Sequence, residues 1–464
     1  MINFLFFLFC VFLFGRMVIS FLQIESEIEK NSLAVLVGMV LVSYIFFILF
    51  SFTPFIFSQK MLGLFCLVVI SWGLFRFGRK GLNLPLLLSL VWGKFSQLHL
   101  STYEWGVILV LLVIGLNNFL LNWYWPIVDW DALALYDFRG MVLAKEGTFD
   151  RGKELGYFFQ YPPFTSILHG INHVFKIDQV KIWYSLIFGA YILLFYRLLR
   201  QHTTRFVALI GTLILTTTST LMLHSRMAYT NLPYSLFLSL GYLYLISWFS
   251  QAKKNHLLIG AFFVASSTWV RSSEPFWFLG LILIVLGVIR HRKYIWWSFF
   301  ACLGVIFFKY PWILYLDLLY ATKVSNPVLN VLSLAGTTRF SSEEFLARCW
   351  GVGLFFFQIL KGIIKPYLIP LLITAWVAIS GRQYLKMFYL VSLVIQILAI
   401  YAGILVFSFQ FPDWSTIPDS AARMSMFLVP QFIFVIMLND FWRINIATKS
   451  VSKIKQKINQ RQEK

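Results

Sequence analysis

Asp129, Asp131 and Asp137 fall within nine positions of one another in a chain with nineteen acidic residues among 464. Arg139 follows, and the segment DWDALALYDFRGMVLAKEG runs on to FFQYPPF, which contains a Tyr161-Pro162-Pro163 turn. A carboxylate placed beside a hydroxyl can take its proton as the oxygen attacks. Arginines supply the complementary half of such chemistry, because a planar guanidinium matches phosphate oxygens and stabilises charge building on a leaving group. Three candidates sit in separate polar segments: Arg226 in HSRMAYTNLP, Arg271 beside Glu274 in WVRSSEP, and Arg423 at the end of FPDWSTIPDSAAR. Catalysis in a polar loop of an otherwise apolar chain is the chemistry that this set of residue types suits.

The elements that must position these residues follow from composition. The chain is 59% apolar and 12% charged, against about 25% charged in soluble domains, and its mean hydropathy is +0.77. Apolar runs such as Phe206 to Leu223 and Leu385 to Phe409 reach or approach the roughly 20 residues that cross a bilayer. Backbone polar groups cannot be left unpaired in lipid, so the runs must be helices. The expected fold is all-α, a polytopic transmembrane bundle of about 12–13 spans with short amphipathic helices in its outer loops. MINFLFFLFCVFLFGR at the N-terminus lacks the basic start and small-residue cleavage site of a secretory signal, and reads as a retained first span. Cys10, Cys66, Cys302 and Cys349 stand in apolar surroundings without paired spacing, which argues against disulfides or a metal cluster.

The net charge of +20 is spread over short connectors between apolar runs, a positive-inside pattern rather than a nucleic-acid surface. Basic connectors at 197–205, 251–256, 290–293 and 381–386, with the tail from Arg443 to Lys464, fall on one side if single spans separate them, and that side is assigned to the cytoplasm. The spans implied lie near 105–122, 180–199, 206–223, 230–249, 256–271, 276–290, 294–310, 366–380, 386–409 and 423–440. Before them, 4–22, 32–52 and 61–76 read as spans that put the N-terminus outside, while Leu82 to Trp105 is interrupted by Lys94 and His99. The chain thus divides into an N-terminal membrane region (1–104), a core (105–442) and a basic tail (443–464) that suits anionic headgroups or simply fixes orientation. This topology gathers the Asp-rich loop, 224–233, 269–275, 310–348 and 411–423 on the opposite face.

In that order the segments resemble the multi-spanning C-type (GT-C) glycosyltransferases, which include protein O-mannosyltransferases and lipid A aminoarabinose transferases. Asp131-Ala132 matches the family's first-loop acidic motif and Tyr161-Pro162-Pro163 its Pro turn. Arg226 with Pro233, Arg271 with Glu274, and Arg423 with Pro430 match later elements, so the resemblance covers roughly 105–440. It implies a plasma-membrane enzyme, bacterial by the resemblance, that takes a sugar from a polyprenyl-phosphate carrier on the extracytoplasmic face and passes it to a glycan, lipid or protein acceptor. Asp131 is then the general base with Asp129 as second choice, Arg226, Arg271 and Arg423 hold the donor phosphate, and Tyr161, Asp137, Arg139 and Glu274 are substrate-binding candidates. Two positions depart from the pattern: Ala132 stands where the family usually has Glu, and Asn231 where it often has Asp. Divalent ions want carboxylate oxygens, so the site is expected to hold no required metal, with Mg²⁺ or Mn²⁺ left open.

Plainer readings stand beside these. An interfacial Asp also serves as a helix cap, and Arg271 with Glu274 at i, i+3 also makes a structural ion pair. His169 and His173 have the i, i+4 spacing of helical metal ligands, but no acid lies nearby in sequence, so they read as interfacial polar residues. Most tryptophans are interface anchors, with Trp125 or Trp130 as candidates to stack on a sugar ring. A flippase or transporter of a polyprenyl-linked sugar is the competing class, and a polysaccharide ligase or polymerase is the alternative within enzymes. Transporters carry charge in mid-span and often show internal repeats, whereas the charges here cluster at loop ends.

Overall fold

The computed structural model describes residues 1–77, 100–150, 161–271, 276–320, 342–381, 384–410, 415 and 422–438. Among these residues all regular structure is helical. The N-terminal region contributes α1 (Ile2–Ile19), α2 (Glu27–Phe52) and α3 (Gln59–Phe77). Then come α4 (Thr102–Tyr124), a π-helical turn (Ala132–Asp137) continuing into α5 (Phe138–Glu146), and α6 (Phe164–Val174). The core continues with α7 (Ile182–Arg200), α8 (Arg205–Thr217), α9 (Ser219–His224), α10 (Asn231–Gln251), α11 (Lys254–Val270), α12 (Phe276–Arg290) and α13 (Ile295–Tyr320). It closes with α14 (Ser342–Ile364), α15 (Leu368–Ser380), α16 (Tyr384–Gln410) and α17 (Leu428–Met437). Eight helices among the described residues are long and apolar enough to cross a membrane, which makes this a multi-pass membrane protein.

Local chemistry sets several boundaries. Ser101 and Glu104 form a reciprocal capping box that starts α4, satisfying amides that the first turn leaves bare. The expected span 206–223 is split at Thr218, whose backbone is extended. Thr217 and Thr218 turn their hydroxyls back onto the carbonyls of Leu213 and Ile214 at 2.8 and 2.9 Å, the competition by which Thr loosens a helix end. The segment 310–348, expected as one outer loop, is corrected at both ends. The helix carrying Tyr310 runs through Pro311 to Tyr320, and Ser342 begins α14, a further helix of spanning length. Residues 321–341 lie outside the described set.

Helix α1 packs on α2 at two glycines. A Cβ on Gly15 would lie 1.9 Å from the Ala34 carbonyl oxygen, and one on Gly38 would lie 2.3 Å from that of Val11. Absent side chains let two apolar helices touch backbone to backbone, which compensates for the weak hydrophobic drive in lipid. Helix α2 in turn packs on α6 and α7.

The bundle has two distinct ends. At one, Arg16 and Lys30 pair with Glu27, and the Tyr244 hydroxyl donates to Glu29 at 2.9 Å with Arg197 3.5 Å away. There also Asn255 donates to the Gln23 carbonyl at 2.7 Å, Tyr294 to that of Ala252 at 2.6 Å, and Phe249 stacks on Phe388 at 3.8 Å. The connectors that the sequence groups by their basic residues therefore meet at this end. The Asp-rich loop and its partners meet at the other.

Candidate active site

The Asp-rich loop is built on an irregular helix. After Trp125 the chain is extended, then coils from Trp130 to Glu146 with the π-helical turn inside it, and stops at Gly147, whose φ of 81° is left-handed. A π-turn inserts an extra residue per turn and re-aims the side chains around it. Here it buries both Tyr136 and Asp137, with Arg139 and Gly140 following, and leaves Asp131 at the open edge. Gly140 lets α5 lie against α6, since a Cβ there would sit 2.8 Å from the Cβ of His169 and 2.9 Å from the Gly170 amide nitrogen.

Asp137 is the anchor of this contact. Its Oδ1 lies 2.8 Å from His173 Nε2 and 3.2 Å from His169 Nδ1, and the Tyr184 hydroxyl stands 3.1 Å from the remaining nitrogen of His169. Burial pushes the Asp137 carboxyl up, but the hydrogen bonds and charge of the two histidines outweigh it and hold it well below the usual carboxylate range. Burial pulls His169 down against the opposing hydrogen bond and charge of Asp137. The i, i+4 histidines thus do have an acid, supplied from the preceding helix rather than from nearby sequence.

Arg139 is 2% exposed. It donates to the Tyr161 carbonyl at 3.0 Å, and its guanidinium lies over the rings of Phe149 and Trp312 at 5.5 and 5.6 Å. Tyr161 presents its ring to Arg271, 5.0 Å from the centroid, and its hydroxyl accepts from Arg271 Nη2 at 3.4 Å. Arg271 also donates to Asn231 Oδ1 at 2.6 Å. Tyr136 joins the group through Thr230 at 3.1 Å, and burial raises its hydroxyl against the opposing charge of Arg271. Asn231, the position departing from the acidic pattern, thereby orients the guanidinium through a neutral amide.

Asp131 faces Arg423, with Oδ2 and Nη1 3.8 Å apart and 41% of the carboxylate side chain exposed. Arg423 also lies over the Tyr229 ring at 5.8 Å. Burial and then the charges of Asp131 and Asp129 push the Tyr229 hydroxyl up to about 12, so both aspartates bear on one phenol. Asp129 additionally acts on Lys181, beside Arg226: burial lowers the Lys181 ammonium, Asp129 raises it, and Arg226 lowers it again. Arg226 follows Ser225, whose hydroxyl and carbonyl are held by Asn118 and Asn122 of α4.

The structure therefore brings together Asp129, Asp131, Arg226, Arg271, Arg423 and Tyr161 at one end of the bundle. Asp137 and Arg139 lie beneath them, buried, and Glu274 falls outside the described residues. Trp125 and Trp130 are exposed. Lys181, Tyr136, Tyr229, Thr230 and the Asn118/Asn122 pair escape the sequence reading. Lys181 stood one residue before an apolar run and had the look of an ordinary interfacial lysine, and asparagines inside a span were the one signal that could have been followed. Among the described residues no group of three His, Cys, Asp or Glu side chains is arranged to hold a metal ion. No protein-family model, curated protein or solved structure matches the chain.

Proposed function

We propose that this chain is an integral-membrane glycosyltransferase that moves a monosaccharide from a polyprenyl-phosphate carrier to an acceptor hydroxyl. The observation that carries this reading is the half-exposed Asp131 carboxylate standing 3.8 Å from Arg423, at the end of the bundle where Arg271 holds the Tyr161 hydroxyl. The acceptor oxygen attacks the anomeric carbon, the bond from that carbon to the phosphate oxygen breaks, and polyprenyl phosphate leaves. Asp131 takes the hydroxyl proton as the new bond forms, with Asp129 as the second carboxylate in reach of the same charge cluster. Arg423 and Arg271 stabilise the charge gathering on the departing phosphate. Arg139 and Asp137 act one layer down, holding Tyr161 and α6 in place rather than touching substrate.

The site is taken to face the extracytoplasmic side because the basic connectors collect at the opposite end of the bundle. An exposed charge pair suits surface chemistry on a lipid-borne donor better than transport, in which charges line a path through mid-span. The test is an assay of the purified full chain in lipid nanodiscs with a panel of polyprenyl-phosphate sugars and water or simple alcohols as acceptors, with and without a chelator. Release of polyprenyl phosphate from at least one donor, persisting with the chelator, supports the reading. Vectorial movement of an intact donor in proteoliposomes, without cleavage of any donor, would replace it with the transporter.

A further inference from the structure

The end of the bundle away from the Asp-rich loop holds its cations in two different ways. Arg16, Lys30 and Arg197 pair with Glu27 and Glu29, and Arg205 lies 3.9 Å from Glu104. Lys253 and Lys254, where α10 passes into α11, and Arg290, Arg292 and Lys293, where α12 passes into α13, make no ion pair among the described residues. Glu25, brought near them by the contact of Gln23 with Asn255, pairs with none of them either.

Those two connectors are clasped together. His291 Nε2 stands 2.8 Å from the Phe249 carbonyl oxygen, and the Tyr294 hydroxyl donates to the carbonyl of Ala252 at 2.6 Å. Ala252 is left-handed at φ 54°, a conformation that a Cβ disfavours and that persists where the surrounding contacts impose it. Three of the cations rest on aromatic rings of the clasp: Lys254 Nζ lies 3.2 Å from the Trp297 centroid, the Arg290 guanidinium 4.8 Å from that of Phe249, and Lys293 Nζ 5.0 Å from that of Tyr294. Phe249 is itself held by its stacking on Phe388 at 3.8 Å. The positive-inside bias asks only for cations on one side of the membrane. It does not ask that they be seated around one clasp without a counter-charge.

An apolar wall adjoins the clasp. Ile289 at the end of α12 and Ile295, Trp296, Phe299 and Phe300 at the start of α13 are exposed, and Trp side chains beside cations favour the headgroup layer of a bilayer. A soluble anion would have no use for that wall, whereas a lipid uses both parts. We infer that the clasp is a headgroup site for an anionic phospholipid, with the phosphate among Lys254, Arg290 and Lys293, Arg292 at the rim, and acyl chains along the exposed faces of α12 and α13. The site is independent of the proposed transfer chemistry at the other end.

The experiment titrates the purified full chain in mild detergent with phosphatidylglycerol or with phosphatidylcholine of the same acyl chains, and counts retained lipid by native mass spectrometry. The native protein is expected to hold phosphatidylglycerol at least about tenfold more tightly, saturably, and to keep it in excess inorganic phosphate. Arg290→Gln combined with Lys293→Gln is expected to bring the two lipids within about twofold. Lys254→Gln is a second, single-site variant that spares both clasp hydrogen bonds, and it should lower the preference by about threefold or more. Lys453→Gln with Lys455→Gln, in the basic tail, should leave the preference as it is. Equal retention of the two lipids, a preference that survives both clasp variants, or one that vanishes with the tail variant overturns the site. Displacement of the lipid by inorganic phosphate alone overturns it in favour of a free-anion site.

Discussion

Glu29 and Asp131 make an instructive pair, one at each end of the bundle. Each is a carboxylate near an arginine from a distant helix, yet Glu29 is 5% exposed and sealed by Tyr244 at 2.9 Å and Arg197 at 3.5 Å. Asp131 is half open, and its arginine stands off at 3.8 Å. The Glu29 contacts join α2 to α7 and α10 and are closed to any ligand. The Asp131 contact leaves its carboxylate open to one. Polar residues inside a membrane protein thus divide by whether the protein has already used their hydrogen-bonding capacity.

Removing groups at the two ends should therefore fail in different ways. The largest effect is expected from Arg423→Gln, which should lower kcat/KM for sugar transfer by about 10²–10³-fold while the thermal unfolding midpoint in detergent stays that of the native protein. A parallel fall in unfolding temperature would mean that the Asp131 pair is structural, like that of Glu29. Glu29→Ala should do the reverse, costing about 1–3 kcal/mol by stranding the buried Tyr244 hydroxyl and sparing kcat. Thermal denaturation alongside turnover separates the two.

Gly140→Ala tests the layer between. The added Cβ meets the α6 backbone at 2.9 Å, so α5 must move, at about 1–3 kcal/mol, and KM should rise as Tyr161 shifts. A variant as stable and as active as the native protein would show that α5 does not position the site. The smallest effect is a pH dependence. The folded-state values of His169 and Asp137 are both lowered, so the unfolded chain binds more protons at each. Stability should decline as pH falls below about 6.5 on account of His169, and again below about 3.9 on account of Asp137. His169→Gln should abolish the first decline and keep the second, as read by unfolding midpoints across pH.

Much of this architecture was legible in the sequence because period and composition are local signals. Apolar runs placed most helices to within a few residues, and counting spans between basic connectors put Arg226, Arg271 and Arg423 on the same face as Asp131, to which Arg423 comes within 3.8 Å. Side-chain pairing was not legible. Asp137 finds His169 and His173 only because α5 folds back on α6 at Gly140, and Glu29 finds Tyr244 from 215 positions away. The π-turn that buries both Tyr136 and Asp137 leaves no periodic trace in six residues of ALALYD. Helix α14 was hidden by Glu343, Glu344 and Arg348 at its start, which gave an apolar helix the look of a loop.

The open Asp131 carboxylate is proposed to act as the base for a lipid-linked sugar donor. Its most direct test is single-turnover transfer by native protein and Asp131→Asn, with donor binding measured on the same samples. The variant is expected to bind donor as the native protein does and to lose transfer by about 10²–10⁴-fold. Undiminished transfer by Asp131→Asn would contradict it.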